Sequence, residues 1–183
     1  RIIAGKHKSR KLVALEGLNT RPMMDKMKET IFNIIGPYFT GDIVLDLFGG
    51  SGALSLEAIS RGAAHANIVE VSKDAIRIIK ENIASLREED TTTLYNLDYQ
   101  LVLNIFAREH KKFNLIFLDP PYRLNIMKEI IDFIITNDLL AKEGIIVCQY
   151  VRNNYLPQET EILEIRKNFN YASSEVCIYQ KKE

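Results

Sequence analysis

The sequence predicts an α/β protein built around a doubly wound, mostly parallel sheet of seven strands with helices on both faces. From residue 43 onward, short apolar runs rich in β-branched residues alternate with stretches whose apolar residues recur at helical spacing. The glycine-rich segment 49–52 separates the first apolar run from a helical pattern, as in a unit of strand, loop and helix. The last two apolar runs have no helix between them, so a C-terminal antiparallel hairpin is expected to finish the sheet.

The first 40 residues are expected to form a small basic extension, a β-hairpin followed by a helix. Residues 1–15 contain two short β-prone runs separated by a glycine and basic side chains, which is typical of a hairpin. Pro22 biases Arg21 towards extended backbone. Asp25 is expected to cap a helix whose apolar residues lie on one face, and Gly36-Pro37 ends that helix.

The remaining elements follow from the same criteria. Strands are expected at residues 43–46, 66–71, 92–97, 113–118, 145–150, 161–169 and 174–180, and helices at residues 54–61, 73–86, 98–108 and 125–137. Ser72 is expected to cap the helix that follows it, because its hydroxyl can accept a hydrogen bond from a backbone N–H of the first turn.

The composition is that of an ordinary globular protein. The chain has 183 residues, of which 46% are hydrophobic and 26% charged, and no apolar run reaches the roughly 18 to 20 residues of a membrane span. No secretory signal pattern is present, so a cytoplasmic protein is expected. We also expect a monomer. Cys148 and Cys177 are expected to be buried thiols, and the scattered cysteines and histidines predict no metal site. We expect one domain over residues 1–183, with the basic extension at 1–40 and the core at 41–183.

The net charge of zero hides an uneven distribution. Residues 1–30 hold eight Lys or Arg and three acids, a net charge of +5, so the remaining residues carry −5. A basic cluster of this size is either a solvated surface or a phosphate-binding edge attached to a neutral body.

Four acidic residues are expected at one edge of the sheet. In doubly wound sheets ligands bind beyond the carboxyl ends of the strands. Each of four acids lies within one residue of the end of a predicted strand: Asp46, Glu70, Asp98 and Asp119. A single acid there is often a cap or a surface residue, but four acids at one edge indicate a site. Glu70 follows Gly50 by 20 residues, a spacing at which a carboxylate can accept hydrogen bonds from the hydroxyls of a ribose.

Two nucleoside cofactors fit this spacing, a dinucleotide and S-adenosylmethionine. A dinucleotide fingerprint would have Gly or Ala where this chain has Ser55. Asp46, inside the strand before the loop, would repel a pyrophosphate but attract the ammonium of a methionine group. The sequence therefore favours S-adenosylmethionine.

The segment Asp119-Pro120-Pro121-Tyr122 directly follows a predicted strand. Two prolines stop a strand and remove backbone donors, so one interpretation is a rigid terminator. The other is a stiff loop that presents the Asp119 carboxylate and the Pro120 carbonyl as acceptors for an exocyclic amine, with Tyr122 as a stacking surface for a base. The glycine loop upstream favours the second interpretation.

Together these motifs resemble the class I, Rossmann-like methyltransferases that act on amino groups. The motifs DLFGGSG (46–52) and LDPPY (118–122) carry that resemblance. The segments RIIAGKHKSRKL (1–12) and TRPMMDKMKETIFNII (20–35) narrow it to the bacterial 16S ribosomal RNA guanine-N2 methyltransferase family. The chain departs from the family at Gly50, commonly alanine, and at Met23, commonly threonine.

The resemblance implies the roles of individual residues. The cofactor S-adenosylmethionine would be held by Asp46, Phe48, Gly49, Gly50, Ser51, Gly52, Glu70, Val71 and Asp98, with Arg21, Pro22 and Asp25 closing over it. The catalytic loop would be Asp119, Pro120, Pro121 and Tyr122. The phosphates of 16S ribosomal RNA, free or in the assembling small subunit, would contact Arg1, Lys6, Lys8, Arg10 and Lys11, supported by Arg21, Lys26 and Lys28.

The implied reaction is methyl transfer to the N2 amine of a guanine. Three alternatives stay open at this point. The first is an N6-adenine methyltransferase that acts on DNA or RNA, which could use the same loop. The second is a non-catalytic RNA-binding relative that keeps the fold. The third is a nicotinamide oxidoreductase, which Ser55 and the proline loop disfavour.

Overall fold

The structure is a computed structural model that describes residues 1–15, 21–121 and 125–183. The chain folds into two compact units, Arg1–Tyr99 and Gln100–Glu183. The expected single domain with an extension at 1–40 stays a prediction. Tyr122 lies outside the described residues, as do the side chains of Arg21 and Pro22.

The first unit contains three parallel strands in the order β3-β2-β1. Its elements are α1 (Arg21–Ile35), β1 (Ile43–Asp46), α2 (Ala53–Ser60), β2 (His65–Val69), α3 (Lys73–Leu86), a 3-10 turn (Glu89–Thr91) and β3 (Thr92–Tyr95). Because neighbouring strands are parallel and in register, their carboxyl ends lie at the same edge.

The second unit contains four strands in the order β4-β5-β7-β6. Helix α4 (Tyr99–Arg108) precedes β4 (Phe113–Leu118), and α5 (Met127–Thr136), β5 (Leu140–Val151), β6 (Leu163–Tyr171) and β7 (Ser174–Lys181) follow. Strands β4 and β5 are parallel, whereas β7 is antiparallel to both β5 and β6. The predicted C-terminal antiparallel hairpin is therefore confirmed.

The core consists of the strands and the apolar faces of the helices. Strand β4 is buried at five of its six residues and does not alternate, as expected for a parallel strand covered on both faces. Helix α3 buries the predicted positions Ile76, Ile79, Ile83 and Leu86. Ser72 caps it as predicted, because its side chain accepts a hydrogen bond from the Ala75 N–H at 3.3 Å.

The two cysteines lie within this core. Cys148 and Cys177 face each other across the β5–β7 pair, and both are buried free thiols, as predicted. Burial raises the pKa of both thiols, Cys177 to about 12, so neither is a reactive thiolate.

Two N-terminal predictions are wrong in detail. Residues 1–15 contain no β-strand. The segment folds back through hydrogen bonds between Ile2 and residues 9 and 10, but other backbone groups of the segment bond to side chains of α2 and α3. Helix α1 begins at Arg21, not after Asp25, because a proline is tolerated in the first turn, where backbone N–H groups have no helical partner. Its predicted end at Gly36-Pro37 is confirmed.

The N-terminal segment is fixed to α2 by a buried carboxylate, Glu57. The two Glu57 oxygens accept hydrogen bonds from the backbone N–H groups of Ile3 and Ala4, at 2.9 and 3.2 Å. Glu57 also pairs with Arg61 at 2.7 Å and with Lys28 at 3.3 Å. Because all three ionised side chains are buried, each depends on the others for compensation of its lost hydration.

Among the helices of the described residues, none is long and apolar enough to span a membrane.

Candidate functional site

The glycine loop after β1 is held against β2 by backbone contacts. The Gly49 N–H donates to the Val69 carbonyl at 2.8 Å, and a Cβ at Gly49 would lie 2.5 Å from the Ile68 side chain. Gly50 and Gly52 have φ of 60° and 83°, values that side chains other than glycine rarely adopt. The loop can therefore turn tightly and lie close to β2 only because these positions are glycines.

Asp46 ends β1 beneath this loop and is only 3% exposed. Burial raises the pKa of its carboxyl to about 6, while the hydrogen bonds from Ser55 oppose that rise and the charge of Glu70 adds to it. The Ser55 hydroxyl donates to Oδ2 of Asp46 at 2.7 Å. Ser55 drew attention in the sequence only as a departure from the dinucleotide fingerprint, so its role as the partner of Asp46 was missed.

Glu70 joins the glycine loop to the end of β2. One carboxylate oxygen accepts from the Gly50 N–H at 2.9 Å, and the other accepts from the N–H groups of Val71 and Ser72 at 2.9 and 2.8 Å. Glu70 and Gly50, 20 residues apart in the sequence, are therefore in direct contact, while the predicted role of Glu70 towards a ribose stays a prediction.

Exposed apolar side chains follow the ends of β2 and β3, near Glu70 and Asp98. Val71 is 61% exposed after β2, and Leu97 is 38% exposed after β3, the neighbouring strand. Asp98 is also exposed. The ring of Phe48 packs against that of Tyr99, with centroids 5.3 Å apart. Leu97 was missed from the sequence, although an apolar residue in an otherwise polar turn after a strand is a usable signal.

The residues of this region fit S-adenosylmethionine. Asp46 suits an ammonium, Glu70 suits ribose hydroxyls, and Val71 offers apolar surface to a purine. Gly52 precedes α2 in a left-handed conformation, and no side chain caps the helix. Its first turn can therefore receive a carboxylate.

The second predicted half of the site follows β4. That strand ends at Leu118, as predicted from the two prolines. Asp119 and Pro121 are exposed, and Pro120 is half-buried. Pro120 lines a small pocket with two asparagines, Asn125 and Asn154, and with other side chains from the end of β5 and the residues after it.

The predicted RNA-contacting residues lie on the surface, but several have partners. Arg1, Lys6, Lys8, Arg10 and Lys11 are all exposed. Arg1 pairs with Asp25 at 3.0 Å, and Lys6 pairs with Glu88 at 2.8 Å. The Arg10 guanidinium donates to the Ser85 carbonyl at 2.7 Å.

Lys28, expected to support phosphate contacts, is buried, so that prediction is wrong. Its ammonium pairs with Glu57 at 3.3 Å and donates to the Arg1 carbonyl at 2.6 Å. Burial lowers its pKa, against the opposing charge of Glu57. The role of Glu57 was missed, because it depends on residues more than 50 positions away along the chain.

Parallel strands with a close-packed glycine loop and acids at their carboxyl ends are features of the Rossmann-like class I methyltransferases. The same fold is found in a solved structure described as the SAM-dependent methyltransferase from Agrobacterium tumefaciens. It covers 94% of this chain and 66% of its own, with a TM-score of 0.65 and 16% identity. At that identity the likeness shows the fold alone.

The chain belongs to the family described as conserved hypothetical protein 95, whose model matches residues 1–180. A curated relative, "Putative rRNA methyltransferase YlbH" of Bacillus subtilis (strain 168), is 39% identical over 182 residues, which are 100% of this chain and 99% of that protein. "Ribosomal RNA small subunit methyltransferase D" of Escherichia coli (strain K12) is 33% identical over 157 residues, 86% of this chain and 77% of that protein.

A solved structure described as "Putative methyltransferase yhhF from Escherichia coli" covers 100% of this chain and 97% of its own, with a TM-score of 0.86 and 31% identity. The family resemblance, the fold class and the methyltransferase class expected from the sequence are therefore confirmed. The relatives support rRNA methylation as the class of reaction. The roles of individual site residues stay predictions.

Proposed function

We propose that this protein transfers a methyl group from S-adenosylmethionine to the exocyclic N2 amine of a guanine in 16S ribosomal RNA of the small subunit. The observation that carries the proposal is the position of Asp119 and Pro120 directly after the end of β4. A relative of 33% identity named for the small ribosomal subunit supports the choice of substrate.

In this proposal the first unit holds the cofactor. Asp46 receives the ammonium of the methionine group, the backbone of residues 48–52 its carboxylate, and Glu70 the ribose. Val71 and Asp98 contact the adenine. S-adenosylmethionine supplies an electrophilic methyl group when bound. Arg21, Pro22 and Asp25 close over the cofactor.

The loop after β4 prepares the amine for attack. The lone pair of an aromatic amine is delocalised into the ring. Hydrogen bonds from both amine hydrogens to the Asp119 carboxylate and the Pro120 carbonyl favour a pyramidal, nucleophilic nitrogen. Pro121 stiffens the loop, and Tyr122 stacks on the base, which must leave its helix to reach the site. The nitrogen would gain the methyl group and give up one of its protons, for which the Asp119 carboxylate is an available acceptor, and S-adenosylhomocysteine would be the leaving group. Orientation supplies much of the remaining acceleration, and no covalent enzyme intermediate is needed.

The exposed cations of the N-terminal segment position the RNA. Lys8 and Lys11 are exposed and, like Arg1, Lys6 and Arg10, belong to a segment that buried contacts attach to α2. Contacts to phosphates position a protein on RNA without reading its sequence. Neutralising them should weaken RNA binding most at low salt.

The proposal is tested by incubating the protein with methyl-labelled S-adenosylmethionine and small subunits that lack the modification, and then analysing the nucleosides. We expect label in N2-methylguanosine. Label in N6-methyladenosine without N2-methylguanosine would make the protein an adenine methyltransferase. Cofactor binding with no labelled RNA, either free or in subunits, would indicate a non-catalytic RNA-binding relative.

A further inference from the structure

Tyr150 carries a buried hydroxyl that lacks a hydrogen-bond partner. Tyr150 is 7% exposed, and over residues 1–15, 21–121 and 125–183 its hydroxyl is the one buried side-chain polar atom left unpaired. A buried hydroxyl without a partner is unfavourable and rare in proteins. Such a group therefore indicates a ligand atom or a water that completes it.

The side chain lines the pocket beside Pro120. Its other polar walls include Asn125 and Asn154, and the pocket is partly open to solvent, with an inner volume of about 10 Å³ that has room for about one water molecule. The pocket is too small for a whole base. It can receive the edge of a base whose ring stacks outside.

The surrounding structure holds the Tyr150 ring in place. Tyr150 lies near the end of β5, paired with Glu175 of β7. Its ring meets that of Tyr155 edge to face, with centroids 5.2 Å apart and an angle of 84°. Burial raises the pKa of the Tyr150 hydroxyl, and the neighbouring Glu175 carboxylate adds to that rise. The hydroxyl therefore remains protonated and can both donate and accept a hydrogen bond.

Tyr155 lines the same pocket, but its hydroxyl, unlike that of Tyr150, has a hydrogen-bond partner. Its hydroxyl lies 2.6 Å from that of Tyr179, which also accepts from the Gln158 N–H at 3.0 Å. The hydroxyl of Tyr155 therefore supports the fold, whereas that of Tyr150 makes no such contribution.

We propose that the Tyr150 hydroxyl is a substrate-recognition group, which hydrogen-bonds the edge of the target guanine next to the amine bound at Pro120. The inference rests on the proposed function, because it takes the amine to lie at the loop after β4. In guanine, the ring N1–H and N3 flank the exocyclic amine. A hydroxyl that can both donate and accept, on a residue that lines the same pocket as Pro120, can pair with either atom.

The test compares Tyr150→Phe with Tyr155→Phe, which removes the hydroxyl of another tyrosine that lines the same pocket. For Tyr150→Phe we expect an unchanged or higher Tm, because no protein hydrogen bond is lost. We also expect unchanged affinity for S-adenosylmethionine and a loss of about tenfold in kcat/KM for the small subunit. Tyr155→Phe should lower the Tm, because the bond to Tyr179 is lost.

Two outcomes would overturn the inference while leaving the proposed function intact. One is a kcat/KM of Tyr150→Phe within twofold of wild type. The other is a fall in Tm as large as that of Tyr155→Phe, which would make the hydroxyl structural. If the wild-type protein forms no N2-methylguanosine, the proposed function fails and this inference fails with it.

Discussion

Replacement of Asp46 by asparagine should stabilise the ligand-free protein and weaken cofactor binding. Burial raises the carboxyl pKa of Asp46 from 3.8 to about 6, so ionising it in the folded protein costs roughly 3 kcal/mol. An asparagine avoids that cost and can still accept from the Ser55 hydroxyl, but its amide N–H groups need partners, a penalty of about 1 to 2 kcal/mol. We expect Asp46→Asn to raise the free energy of unfolding by about 1 to 2 kcal/mol at pH 8.

The pH dependence of the free energy of unfolding tests whether ionisation of Asp46 causes this difference in stability. A carboxyl whose pKa is higher in the folded than in the unfolded protein destabilises the fold as it ionises. The wild-type protein should therefore lose this stability as the pH rises from 3.8 to about 6, with no further loss from Asp46 above that range. The advantage of Asp46→Asn should accordingly vanish at about pH 5. At about pH 4 the variant should be less stable than wild type by about 1 to 2 kcal/mol, because only the penalty of the amide N–H groups remains.

Urea unfolding at pH 4 to 8 measures this difference, and titration calorimetry measures cofactor affinity. We expect affinity for S-adenosylmethionine to fall roughly 10- to 100-fold at pH 8, because a charged hydrogen bond to the ammonium is lost. Asp74→Asn is the matched control, because the side chain of Asp74 is 85% exposed and its neutralisation should change stability by less than about 0.5 kcal/mol. If Asp46→Asn proves less stable than wild type at pH 8, the carboxylate is not destabilising and the reasoning is refuted.

Three further substitutions test contacts near the site and in the N-terminal segment. Ser55→Ala should raise the pKa of Asp46 further, so the pH below which cofactor binding weakens should move upwards in calorimetric titrations; an unchanged midpoint would contradict the role of this hydroxyl. Gly5→Ala would place a Cβ 1.9 Å from the Ser60 carbonyl oxygen at a φ of 89°, and urea unfolding should show a loss of about 2 kcal/mol or more. Glu57→Gln leaves two buried cations without a countercharge, and a loss of about 3 kcal/mol or more is expected in the same assay; a loss below about 1 kcal/mol would show that the cations find other partners.

The fold was readable from the sequence where local patterns set the elements. The predicted strand at residues 113–118 coincides with β4, because a continuous apolar run meets two prolines that cannot extend a sheet. The sequence predicts too late a start for α1, because Pro22 biases the residue before it towards extended backbone, whereas a proline is acceptable in the first turn of a helix. The N-terminal hairpin was wrong because side chains of α2 and α3 compete for its backbone hydrogen bonds.

The site was readable where spacing alone specifies a contact. Glu70 and the glycine loop meet because consecutive parallel strands bring their carboxyl ends together. Ser55, Glu57 and Tyr150 were missed because their importance lies in what surrounds them after folding. Serine and glutamate are common on helices, and tyrosine is common in strands. No local sequence pattern shows that such a side chain will be buried, or that its polar atom will lack a hydrogen-bond partner.

The most direct test of the proposed reaction uses Asp119→Ala in the labelled nucleoside assay, with cofactor affinity measured on the same protein. We predict labelled N2-methylguanosine with wild type and none with Asp119→Ala, while the two proteins bind S-adenosylmethionine within a few-fold of each other. Asp132→Ala, which removes an exposed carboxylate from α5, should behave like wild type. Retained transfer by Asp119→Ala would remove Asp119 from the reaction, and label confined to N6-methyladenosine in the wild-type assay would contradict guanine N2 as the target.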